Sequence, residues 1–326
     1  MPNKFAAGDK MLKHEQIQIT LSPFQLEYIS KMEAHGYSRE EVIHRALNEL
    51  MAKDDKVSGC HLPIGEYSQQ KNNNMILVEG GSIAPIPSFQ AVLSSFWLSR
   101  YPVTQAEFKE VMGITPSHDF GLGPSYPAYY LSWFNTLEYC NRRSLKDGLS
   151  PCYSYKGFGV NPDDWPEGWD QEIANQEQIE CAWNANGYRL PTEMEWMFAA
   201  SGGCKTRHYQ YSGSDLVDEV AWHVGNWGER SYSSHTVGAK APNELGLYDM
   251  SGNVWELCWD RFGSYPQGTL NNPTGPTTGN NRVRRGGAWY YNASLCTITT
   301  RAETQAIDRG PCMGFRVCRR DELSLD

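Results

Sequence analysis

The chain has 326 residues, 40% hydrophobic and 21% charged, which excludes a disordered chain and supplies core for one large or two modest domains. Its formal net charge of −9 argues against bulk affinity for nucleic acid. No stretch approaches the roughly 20 apolar residues of a membrane span, and Met1 to Lys13 lacks the apolar segment of a secretion signal, so no membrane association is expected and the expected compartment is the cytoplasm. Val57-Ser58-Gly59-Cys60 mimics a lipoprotein cleavage site, but the charged Lys53, Asp54, Asp55 and Lys56 stand where an apolar run belongs. Nine cysteines, none in a C-x-x-C pair, point to free thiols, with one or two disulfides in the C-terminal domain as the alternative.

Residues 14–53 form a self-contained pattern. Ile17, Ile19 and Leu21 alternate with Gln16, Gln18 and Thr20, which predicts a strand with one apolar face. Ser22-Pro23 then opens a helix carrying Phe24, Leu26, Ile29 and Met32, and His35-Gly36 ends it. Ser38-Arg39-Glu40-Glu41 is a capping box for a second helix that buries Val42, Ile43, Ala46, Leu47 and Leu50. Strand, helix and capped helix in this order resemble the ribbon-helix-helix family. The resemblance implies a homodimer through paired strands, and it would aim Gln16, Gln18 and Thr20 at DNA, with the amides near Ser38 on a phosphate. Residues 1–53 hold seven Lys/Arg and seven Asp/Glu, so DNA binding lacks its usual positive excess and dimerisation alone is the competing expectation.

Residues 54–74 read as a linker, charged and then punctuated by Gly and Pro. From Met75 to Arg320 the chain breaks into short segments with few helices. One is expected from the capping residue Thr104 to Met112, a second over Ser132 to Arg143 with Trp133, Leu137 and Cys140 on one side, and a third from Thr192 with Trp196 and Ala199.

Five blocks then carry a specific resemblance. They are Phe96-Trp97-Leu98-Ser99-Arg100-Tyr101-Pro102-Val103-Thr104, Tyr188-Arg189-Leu190-Pro191-Thr192-Glu193-Met194-Glu195-Trp196, the run Asn243 to Glu256 containing Gly252-Asn253-Val254-Trp255-Glu256, Arg284-Arg285-Gly286-Gly287-Ala288-Trp289, and Gly314-Phe315-Arg316. In this order they resemble the formylglycine-generating enzyme (sulfatase-modifying factor) family. The resemblance implies an α+β, C-type-lectin-like domain over residues 75–320, rich in irregular backbone. It also implies a calcium site on Asp249, Gly252, Val254 and Glu256, whose hard oxygens suit Ca²⁺; the competing expectation pairs Glu256 with a core arginine.

The family's enzymes oxidise a substrate cysteine with two cysteines five residues apart that hold copper, a soft cation matched to thiolates. Aligned on Arg285-Gly286-Gly287, the first position is Cys296 and the second is Arg301, a fixed cation without sulfur. No catalytic pair and no bound copper are therefore expected. The remaining enzyme reading would need a distant thiol such as Cys312 or Cys318.

Between Trp289 and Arg316, Asn292, Ala293, Ser294, Cys296, Thr297, Thr299, Arg301 and Arg309 look like scaffold. Tyr290, Tyr291, Leu295, Ile298, Thr300, Ala302, Glu303, Thr304, Gln305, Ile307, Asp308, Gly310, Pro311 and Cys312 share no periodicity. This resembles the variable region of proteins diversified by retroelements, which use the same lectin-like subtype and form their ligand surface from such residues. All but Glu303 and Gln305 fit adenine substitution in an asparagine codon. Two tyrosines give large contact area at low rotamer cost, as in antibody loops. Eight arginines against two acidic residues in 282–320 are expected to tie loop carbonyls together. The expected function is non-catalytic binding of an unnamed macromolecular ligand. An oxygen-dependent cysteine-modifying enzyme and a ribbon-helix-helix transcription factor with a sensor domain are the alternatives.

Overall fold

The computed structural model describes residues 74–227 and 232–321. The chain divides into two units, residues 1–67 and 68–326, and every described element belongs to the second. The strand and helices expected in 14–53, with Gln16, Gln18, Thr20 and Ser38, lie outside the described residues, as does the linker up to residue 73.

The order of elements is β1 (Met75–Val78), β2 (Gly81–Ile86), β3 (Phe89–Leu93), β4 (Phe96–Ser99), α1 (Gln105–Met112), α2 (Trp133–Lys146), β5 (Tyr153–Tyr155), β6 (Ile179–Cys181), α3 (Glu193–Ala200), β7 (Trp255–Arg261), β8 (Gly268–Asn271), β9 (Asn281–Arg285), β10 (Arg301–Gln305), β11 (Met313–Gly314) and β12 (Cys318–Arg320), with short 3₁₀ and one-turn segments between them. All three main helices start where the sequence marks them. Thr104, Ser132 and Thr192 each accept from the third helical N–H, while Glu107, Asn135 and Glu195 reach back to the cap backbone. Such reciprocal caps satisfy two orphan donors per helix and are each worth about 1 kcal/mol. On α2 the expected Trp133, Leu137 and Cys140 are all buried. Every residue of α3 is buried, so it is a core helix rather than an amphipathic one.

Four small sheets run in the orders β1-β4-β12, β10-β9-β7-β11, β2-β3-β8 and β5-β6. β4 takes β1 on one edge (Val78 opposite Phe96) and β12 on the other (Cys318 opposite Leu98), so the two ends of the domain close on one strand. β7 lies between β9 and β11 and is buried along nearly its whole length. Aromatic side chains fill the interior, with Trp133, Trp196, Trp255 and Trp289 among the largest fully buried residues beside the guanidinium groups of Arg282, Arg285 and Arg316. The eight cysteines among the described residues are all free thiols, so the disulfide alternative is not realised there. No helix among the described residues is long and apolar enough to cross a membrane.

Candidate functional site

Two neighbouring regions of the β9–β11 segment concern function. The first is the slot where the oxidising thiols would sit. The chain leaves β9 through Gly286 and Gly287, at φ +93° and +74°, and a Cβ on Gly287 would stand 2.7 Å from the Cys296 sulfur. That close approach requires glycine. Cys296 is fully buried and packs with Tyr211, Val220 and Ala221. Burial pushes its thiol up to about 12, the opposite of what a thiolate ligand or nucleophile needs.

Arg301 sits on β10 directly opposite Arg285. Its Nε and Nη2 donate to the two Glu193 oxygens at 2.8 and 2.7 Å, and Nη1 donates to the Gly263 carbonyl at 2.7 Å. The guanidinium also lies over Phe262 and Tyr265, 4.5 and 4.3 Å from the ring centroids. Arg285 meets the same Glu193 at 2.8 Å and donates to the carbonyls of Ile298, Thr299 and Thr300. Glu193 is thus a buried carboxylate shared by two arginines. The remaining candidate thiols stay elsewhere: Cys312 packs with Trp255, Ala288 and Trp289, and Cys318 lies on β12 against Glu195. Among the described residues no three His, Cys, Asp or Glu side chains converge as a metal site. The slot does not fit copper.

At the expected calcium positions both carboxylates already have protein partners. Glu256 is fully buried, and its oxygens accept from Arg316 Nε at 2.6 Å, Arg316 Nη2 at 2.7 Å and Trp196 Nε1 at 2.7 Å. Asp249 accepts from the Gly238 N–H at 2.7 Å and from Asn253 Nδ2 at 3.2 Å. Of the four positions Asp249, Gly252, Val254 and Glu256, the last is neutralised by a guanidinium. The arrangement is the competing one, Glu256 on a core arginine. Burial raises the Asp249 carboxyl to about 6.

The second region is the face expected to vary. Tyr290 (49% exposed) and Leu295 (37% exposed) stand outward with Glu303, Gln305 and Asp308, while Tyr291, Thr300, Ala302, Ile307, Gly310 and Pro311 are half-buried. Three of the expected residues point inward. Ile298 joins the core around Trp196, Thr304 donates to Asp308 Oδ2 at 3.0 Å, and Cys312 lies under Trp289. All three are buried, at 6 to 8% exposure. The lack of periodicity conceals a regular strand, β10, over Arg301–Gln305.

Sequence reasoning missed most of what surrounds Tyr290. Trp227 and Tyr232 come from a distant loop, with ring centroids 4.5 Å apart, and lie 6.3 and 5.4 Å from Tyr290. Phe120 and Tyr232 meet Trp289 at 5.6 and 5.2 Å, and Tyr291 stands edge-on to Trp255 at 5.6 Å. Beside them Arg284 places its guanidinium 5.1 Å from the Trp255 ring. The signal available in the sequence was the Arg284-Arg285 pair: adjacent strand residues face opposite ways, so one of the two had to leave the core network.

Comparison with known proteins gives a consistent picture. Residues 63–321 match the sulfatase-modifying factor enzyme 1-like domain. A chaperone protein, LppX, of Paenibacillus barcinonensis is 35% identical over 76% of this chain and 90% of its own length. The formylglycine-generating enzyme of Streptomyces coelicolor is 33% identical over 49% of this chain, and the match spans 58% of that enzyme. Among solved structures, Treponema denticola variable protein 1 superposes with a TM-score of 0.64 at 30% identity, covering 74% of this chain and 95% of that one. CarF shares the fold, with a TM-score of 0.61 at 24% identity over 76% of this chain and 98% of that one. The chain belongs to the sulfatase-modifying factor enzyme 1-like family, with the α+β, C-type-lectin-like fold of that family.

Proposed function

We propose that this protein is a non-catalytic member of its family that binds a macromolecular ligand on the face around Tyr290. The observation that carries the reading is Arg301: its guanidinium fills the slot of the second thiolate and is held there by Glu193 on both oxygens. A residue so held cannot swing aside for a metal without giving up both contacts to a buried carboxylate, which then keeps Arg285 alone. The exposed Tyr290 and Tyr232 and the outward Leu295, Glu303, Gln305 and Asp308 supply the mixture of rigid aromatic and adaptable polar contacts that binding loops use. The similarity to a variable protein and to a chaperone protein supports binding rather than bond-making.

The test is direct. Full-length protein supplied with Cu(I), oxygen and a cysteine-containing peptide is expected to leave the peptide thiol unmodified, and copper-dependent conversion of that thiol would overturn the reading. Pairing of two chains through residues 14–53 would present two such faces and raise affinity for a repeated partner. Sedimentation as a monomer removes that part.

A further inference from the structure

Arg284 is the exception among the arginines of its strand. Arg282 donates to Gln176 and the Trp259 carbonyl, and Arg285 to three carbonyls, Tyr265 and Glu193. The Arg284 side chain forms no hydrogen bond or ion pair among the described residues. Its Nε is buried without an acceptor, as are Nε of Arg285 and Nε1 of Trp255 beneath it, but unlike Arg285 it has no partner on its terminal nitrogens either. The side chain is only half-buried, so the guanidinium is partly stripped of water yet not enclosed. On β10 its cross-strand neighbour is Ala302, one of the positions expected to vary, and Ala302 and Tyr291 pack on the cluster that holds Trp255, Trp289 and Cys312.

A cation in this state attracts an anion more strongly than a solvated surface arginine does, because the dielectric is lower and part of the desolvation is already incurred. The rings around it favour a partner that brings an apolar or aromatic body with the charge. Resting on the binding reading above, we infer that Arg284 is the fixed anion-recognising residue of the face, and that the ligand presents a carboxylate there, as an acidic side chain of a protein partner does. The diversified positions around it would then set which carboxylate-bearing surface is taken, while the guanidinium supplies a constant bidentate contact.

Benzoate and its neutral isostere benzamide are suitable probes, followed by tryptophan fluorescence on the full chain at low and high salt. Benzoate is expected to bind at least about tenfold more tightly than benzamide, with the preference shrinking at high salt. Arg284→Met should abolish the preference and Arg284→Lys should keep part of it. Equal binding of the two probes, or binding of neither, overturns the inference without requiring any variant to fold. An undiminished benzoate preference in a folded Arg284→Met protein also overturns it. Failure here leaves the non-catalytic reading standing, because that reading rests on Arg301 and is tested by thiol oxidation.

Discussion

The slot around Arg301 and the face around Arg284 lie on the same pair of strands and differ in how their charges are met. In the slot, Glu193 serves Arg285 and Arg301 at once, and elsewhere in the core Arg316 and Glu256 close a second pair with both members fully buried. On the face, Arg284 and Trp255 keep buried N–H groups without acceptors, and Tyr290 and Tyr232 stand about half exposed, at 49% and 52%. A charge network in which each guanidinium is held by several acceptors is a structural device, although Arg285 too keeps a buried Nε without one. An unsatisfied one forgoes stability and gains the capacity to bind. The difference teaches that one region holds its charges for structure and the other leaves a charge free to meet a partner.

Substitutions should separate the two regions by size of effect. Arg316→Met leaves Glu256 buried with only Trp196 as partner, and a loss of about 3–5 kcal/mol is expected in urea unfolding. Glu193→Gln strands two guanidinium groups and should cost about 2–4 kcal/mol by the same measurement. A loss under 1 kcal/mol in either case would break the claim that these buried networks are held by their ion pairs.

The pH response sharpens the comparison. The Asp249 carboxyl titrates near 6 in the folded protein, above the roughly 3.9 of an unfolded chain, so between those values the folded state holds the extra proton. Stability should therefore rise as pH falls from about 6 toward 4. In Asp249→Asn part of that rise should vanish. Urea midpoints across this range check it, and an unchanged slope contradicts the burial-driven shift. The smallest effect is expected on the face: Tyr290→Ala should change stability by less than about 1 kcal/mol, because half its surface is already in water. A larger loss would make Tyr290 a packing residue.

Much of this was legible in the sequence because the signals were local. Thr104, Ser132 and Thr192 announce their helices through chemistry contained within one turn. Arg301 could be placed in its slot because Arg285-Gly286-Gly287 and Gly314-Phe315-Arg316 fix the frame on either side. The face was only half legible. Phe120, Trp227 and Tyr232 reach it across long stretches of chain, and no local pattern records such a contact. Ile298, Thr304 and Cys312 looked like display residues because, in irregular backbone, inward and outward positions leave no period to read. The sequence left the calcium expectation open for a related reason: a carboxylate in Gly-Asn-Val-Trp-Glu serves a buried arginine as well as it serves a cation, and Glu256 here is paired with Arg316.

Whether a guanidinium has displaced copper chemistry is tested most directly by Cu(I) titration of the full-length protein beside its Cys296→Ala variant. The two binding curves should superimpose. A stoichiometric Cu(I) site present in the parent and lost on removing that one sulfur would contradict the account.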